Sequence, residues 1–360
     1  MHFFKQSADL KRIALNLVAL GIAVLAAPAH AQDLFVSNLG DNTISRFAAT
    51  GPGTYAATAT KLTTPGFHSP EGLAFDTRGD LFVANLGPND SGSILEFTAG
   101  ATPGTFAATA TTLTQSNPYS PFGLAFDTRG DLFAADFSTD TINKFAVGTT
   151  PGTFGAVTSL TGPGFFVPVG LAFDARGDLF VTSPGGGIGH IYDSIAEFVV
   201  GATPGTFSMT STLTDSSLSA PIGLAFDARG DLFTANRDGN SITEFTAGAT
   251  PGTFGMTSTL TDSSLNGPEG LAIDAFGNIF VANENSTTIT EFVSTGTGTF
   301  GTATTIKTGL SRPAFLAFGP SAPPAVPEAS TTVSFGLLLV LGLGGLGVIA
   351  RRRKTSKPLA

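Results

Sequence analysis

The stretch Gly223–Phe233, "GLAFDARGDLF", recurs unchanged at Gly170–Phe180. With Thr at its sixth position it starts again at Gly72 and Gly123, and a looser copy, "GLAIDAFGNIF", starts at Gly270. The leading glycines are 51, 47, 53 and 47 residues apart, the period of a repeat architecture. Within each copy two short apolar runs flank Asp-x-Arg-Gly-Asp. Gly accepts a left-handed backbone and Asp side chains cap exposed N–H groups, so Asp227–Asp231 reads as a turn between two paired strands. Four copies contain Arg-Gly-Asp, an adhesion tripeptide elsewhere, but the fifth reads "DAFGN" and keeps the Gly without the Arg. The turn is what recurs, and the Arg is expected to be dispensable for stability.

Two further blocks follow each copy. One is the "SITEF" type, at Ser93, Thr141, Ser194, Ser241 and Thr288, and the other a Pro-Gly turn leading into "TFGMTSTLT"-like segments. Short β-branched and aromatic runs between Gly, Pro, Asn and Asp make four strands per repeat. "LAF" and "LFVA" are apolar on both faces and must be covered on both, which a ring of copies achieves. Each strand is expected to carry one aromatic; 22 of 24 such positions are Phe, with Tyr55 and Ile273 as the others. The chain enters the pattern at its second block, "DLFVSN" from Asp33, and the missing first block appears last, as "PAFLAF" at Pro313–Phe318. The reading is all-β: a six-bladed β-propeller of four-stranded blades over residues 32–320, closed by pairing N- and C-terminal strands.

The pattern resembles the NHL repeat, in which Pro-x-Gly-apolar precedes Gly-Asn/Asp-apolar and the second strand ends in Asp or Asn, and more loosely the gluconolactonase-type propellers. That resemblance implies a fold shared by binding modules and enzymes, so function must come from the site. Outside the repeats, Lys5, Lys11 and Arg12 precede an apolar run, Ile13–Ala27, and Ala29-His30-Ala31. Residues 1–31 therefore read as a signal peptide, cut by signal peptidase before Gln32. "SAPPAV" (321–326) is a linker. Residues 329–350 are uncharged and long enough to span a bilayer, 351–354 are "RRRK", and 355–360 form a cytoplasmic tail. Segment 327–354 resembles the PEP-CTERM sorting signal of Gram-negative bacteria, through Pro327, Glu328, the apolar segment and Arg351, Arg352 and Arg353; Ala329 departs from the motif's second Pro. This implies exosortase processing, transient anchoring in the inner membrane, and an envelope, outer-surface or extracellular-matrix destination.

Charged residues make up 12% of the chain and Cys is absent, which excludes disulfides, thiolate metal sites and a Cys nucleophile. Residues 32–327 contain 25 Asp+Glu against 10 Lys+Arg, a surface that repels nucleic acid. The face where first strands begin collects the residue after each repeat Pro: Glu71, Phe122, Val169, Ile222, Glu269 and Ala314. The ends of the second strands join it: Asn38, Asn85, Asp136, Ser183, Asn236 and Asn283. Oxygen donors around a channel suit Ca²⁺, and Ca²⁺-dependent lactonases with Glu, Asn and Asp at a channel mouth are part of what the resemblance implies. The metal candidates are Glu71, Glu269, Asn85, Asp136, Asn236 and Asn283. Two histidines, His68 and His190, belong to the same face; with Glu71 and Glu269 they are the catalytic candidates, by similarity to NHL-like lyases that use His and Glu. The loops after the second strands vary and are polar, which suits extracellular polysaccharide or another envelope protein as partner. The leading expectation is an exported binding or structural module; the alternative is a Ca²⁺-dependent lactonase-like hydrolase or a lyase.

Overall fold

The computed structural model describes residues 32–88, 91–113, 120–150, 152–162, 166–185, 193–250, 252–307 and 309–319. The signal peptide, His190, the linker and the whole sorting segment lie outside the described residues. Six four-stranded antiparallel sheets form the blades of a propeller, with no α-helix among the described residues. Blade 5 shows the plan: Pro221–Phe226, Leu232–Asn236, Ser241–Ala247 and Phe254–Thr261, in that order. Blade 1 is composite. The last strand, Pro313–Phe318, pairs with Leu34–Asn38, matching Leu34 to Phe318 and Val36 to Leu316.

First strands of successive blades run side by side around the central channel. Their shared glycine makes this possible: a Cβ on Gly170 would lie 2.0 Å from the Ile222 carbonyl oxygen, and one on Gly223 2.6 Å from that of Glu269. In blade 1 this position is Phe315, and its ring meets Phe122 edge-on at 5.7 Å.

Six apolar seams join each blade to the next, including the closing seam of Leu34, Val36 and Phe47 against Phe280, Ala282 and Ile289. The Phe bias builds these seams. Phe180, from a second strand, meets Phe226 at 5.1 Å and Phe254 at 5.4 Å on the next blade, both edge-to-face. Phe35, Phe82 and Phe133 repeat the arrangement, and Phe280 closes it against Phe318 and Tyr55. Edge-to-face rings align a positive rim with a negative face, beyond the gain from burial.

Two expectations need correction. The fourth aromatic opens the outer strand in blades 3, 4 and 5. In blade 2 Phe106 only bridges Ala99, and the outer strand is Thr111–Leu113. In blades 1 and 6 Tyr55 and Phe300 belong to side hairpins, Ala49–Gly51 with Thr54–Tyr55 and Ser294–Gly296 with Thr299–Phe300. There the outer strand is the later Thr-rich segment, Thr60–Leu62 or Thr304–Lys307. The Arg of the turn is also not idle. Asp227 Oδ1 accepts the N–H groups of Arg229 (2.8 Å) and Asp231 (3.0 Å), while Gly230 adopts φ 86°. The Arg229 guanidinium is 2.7 Å from Asp227, 2.6 Å from Asp231 and 3.7 Å from Glu244. These guanidiniums lie against the Gly turn of the following blade: a Cβ on Gly152 would be 2.6 Å from Arg78, and on Gly252 2.8 Å from Arg176. The Arg of Arg-Gly-Asp is ion-paired within its own blade and packs against the next one.

Candidate functional site

On the opposite face the first strands begin and the second strands end. Pro70 pairs with Asn85, Pro221 with Asn236, and Pro268 with Asn283. The residue after each Pro is carried into the channel mouth. Val169, Ile222 and Ala314 are buried there, and with Phe122 they make four of the six ring positions apolar. Glu71 and Glu269 sit on the two blades flanking blade 1, whose own residue is the small Ala314. Both glutamates are buried, at 3% and 2% exposure, and Oε2 of each has no hydrogen-bond partner. A buried carboxylate without donors is costly, and the protein relieves that cost by holding the proton. Burial pushes Glu269 up to about 8, reinforced by the Glu284 carboxylate and opposed by Arg237 and Arg312. Burial also holds Glu71 well above the usual carboxylate range, with Glu269 and then Glu284 adding to the shift.

Three groups that the repeat pattern did not single out complete the cluster. Glu284 follows Asn283, Arg237 follows Asn236, and Arg312 precedes Pro313. Arg312 donates to Glu284, and this bond, with the nearby Glu269 and Glu71, raises the guanidinium's own pKa. Arg237 lies 3.9 Å from Glu284 and 3.8 Å from Asp238. Their signal in the sequence was departure from the repeat: no other blade places Arg directly after its second strand, and no other has Arg before its Pro.

The other candidates go elsewhere. Asn236 donates to Ser241 Oγ (3.1 Å) and Thr243 Oγ1 (2.8 Å) and accepts the Ser219 N–H (3.2 Å). Asn283 does the same with Thr288, Thr290 and Asn266. Asn85 accepts the His68 N–H at 2.7 Å, and Asp136 accepts from Ser138, Ser120 and Asn143. These four side chains turn into their own blades and tie the entry loop of the first strand to the hairpin. His68 is exposed in such a loop. No group of three or more His, Asp or Glu arranged to hold a metal occurs among the described residues. Of the six metal candidates, the two glutamates alone keep carboxyl oxygens without partners among the described residues, while Asn85, Asp136, Asn236 and Asn283 are engaged within their own blades.

No family model matches the chain, and no curated protein matches it. Solved structures do. A periplasmic gluconolactonase of Pseudomonas aeruginosa is similar over 81% of this chain and 99% of its own, with 18% identity and a TM-score of 0.55. A catalytically inactive virginiamycin B lyase from Staphylococcus aureus, determined with quinupristin, covers 81% and 94%, at 14% identity and 0.52. A protein from Lactobacillus plantarum covers 81% and 100%, at 15% and 0.57. At such identities the likeness establishes the six-bladed fold alone.

Proposed function

We propose that the chain is an exported binding module whose ligand enters the channel mouth on the face of Glu71 and Glu269, and that its tail is processed by an exosortase. The observation that carries the binding role is the pair of buried carboxyl oxygens without partners, beside two exposed guanidiniums. Such groups are unfavourable for folding and are retained where a ligand satisfies them. The sorted tail would hold the propeller at the envelope or in the extracellular matrix, where polysaccharide or another surface protein is the available partner. The test is a screen of the purified full chain against glycans and small polar ligands by thermal shift, repeated with Glu71→Gln and Glu269→Gln. A ligand that stabilises the native chain and loses its effect in either variant supports the reading; ligands indifferent to both variants would refute it.

A second reading has its own support. A carboxylic acid held near pH 8 is a competent general acid at neutral pH, and the structural neighbours include a gluconolactonase and a lyase. A lactonase-like hydrolase or a lyase would use Glu269 to protonate the leaving oxygen. Turnover of a lactone that falls at least about a hundredfold in Glu269→Gln, the usual size of a general-acid contribution, would establish it.

A further inference from the structure

The mouth differs from the rest of the molecule in the state of its cations. On the turn face, Arg46, Arg78, Arg129, Lys144, Arg176 and Arg229 each sit within 2.9 Å of at least one carboxylate oxygen. Arg237 does not. Its closest carboxylates are at 3.8 and 3.9 Å, its side chain is 45% exposed, and among the described residues its guanidinium has no hydrogen-bond acceptor. Arg312 is 59% exposed, and the single Glu284 carboxylate serves both guanidiniums. The other acids at the mouth are Asp238, beside Arg237, and the buried Glu71 and Glu269, whose carboxyl groups burial pushes toward the protonated form. Glu284 is shared between the two guanidiniums and Asp238 approaches Arg237 only to 3.8 Å, so Arg237 keeps N–H donors for a ligand, in a domain with 25 acidic and 10 basic residues.

Resting on the reading of the mouth as the binding site, we infer that it contains a carboxylate subsite: the free edge of Arg237, beside Arg312, takes the carboxylate of a small acidic sugar of the uronate type. A planar guanidinium presents paired N–H donors that match a carboxylate in a bidentate fit. Glu71 and Glu269 meet the sugar hydroxyls through their unpartnered oxygens. The acidic domain repels a polyanion at a distance, so one carboxylate on a small ligand fits better than a long acidic polymer.

The experiment is calorimetric titration of the full chain with D-glucuronate at about pH 6 and about pH 9, on either side of the Glu269 transition. D-glucose, CaCl₂ and butylammonium serve as comparison probes. Glucuronate is expected to bind at the lower pH and to weaken at least about tenfold at the higher, where ionised Glu269 joins Glu284 against Arg237 and Arg312. Arg237→Gln should weaken binding about tenfold or more with an unchanged melting temperature, and Arg237→Lys should fall between. Affinity that is equal for glucose, indifferent to Arg237→Gln, or rising with pH overturns the subsite. Glucose, butylammonium or Ca²⁺ bound in a manner sensitive to Glu269→Gln, with no preference for glucuronate, overturns the carboxylate subsite and leaves the mouth as a binding site. Absence of binding by every probe overturns the subsite and counts against the mouth as well.

Discussion

Arg229 lies between Asp227, Asp231 and Glu244 on its own blade and Gly298 on the next, with its side chain one-third exposed. Arg229→Ala would leave Asp231 and Glu244, both nearly buried, facing each other without a cation. The cost is about 1–2 kcal/mol, below that of a sealed pair because solvent screens the guanidinium. Urea denaturation checks it, and Arg229→Lys should recover part of the loss. The buried glutamates act in the opposite sense. Glu269 has a folded-state pKa of about 8, above its ordinary 4.5, so between these values the folded chain holds a proton that the unfolded chain has released. Its contribution is fully present below pH 4.5 and is lost as pH rises through about 8. Glu269→Gln should therefore flatten the decline in melting temperature over that window and leave the variant more stable than the native chain above it. A parallel decline in both proteins would contradict the assignment.

The inner strands show how far the sequence could be read and where it stopped. The repeat exposed every first and second strand, because two-sided apolar runs and the Asp-x-x-Gly turn are local properties of the chain. It did not expose the seam packing of Arg78, Arg176 or Arg229, because the surface each one covers belongs to the next blade, about seventy residues away. The outer strands of blades 1, 2 and 6 lie later than the repeat places them for a related reason: Tyr55, Phe106 and Phe300 fill a seam without belonging to a blade's ladder. At the mouth, Glu71 and Glu269 were legible as departures at a fixed repeat position. Glu284, Arg237 and Arg312 were not, because they follow or precede the repeated strands. The first-strand glycine yields a sharp prediction. Gly170→Ala puts a Cβ 2.0 Å from the Ile222 carbonyl oxygen, and two backbones must separate to admit it. The expected loss is about 2–4 kcal/mol, at the upper end for a single substitution. The same change at Gly255, where a Cβ meets nothing within 4 Å, should stay within about 0.5 kcal/mol.

For the molecule as a whole, the closing blade brings the two ends of the propeller together: the Gly319 N–H donates to the Asp33 carbonyl at 2.9 Å. A circular permutant that joins Gly319 to Gln32 through a short linker, opened at the exposed turn Ala249–Thr250, should fold to the native melting temperature within a few degrees. Removing Pro313–Phe318 instead takes away the ladder partner of Leu34–Asn38 together with Ala314 and Leu316. It should lower the melting temperature sharply and promote aggregation through the bared edge. A truncated chain that melted with the intact one would show that the ring does not depend on this strand. The composite blade also sets a clock. Blades 2 to 6 can each assemble as soon as their own residues are available, but Leu34–Asn38, the opening strand of blade 1, waits for its second ladder partner nearly three hundred residues downstream. Until Phe318 emerges the ring is an open arc with unsealed seams at both ends. A chain passing through a narrow pore in the order of its synthesis could not complete the propeller too early, because the closing strand is the last of the propeller's strands to arrive.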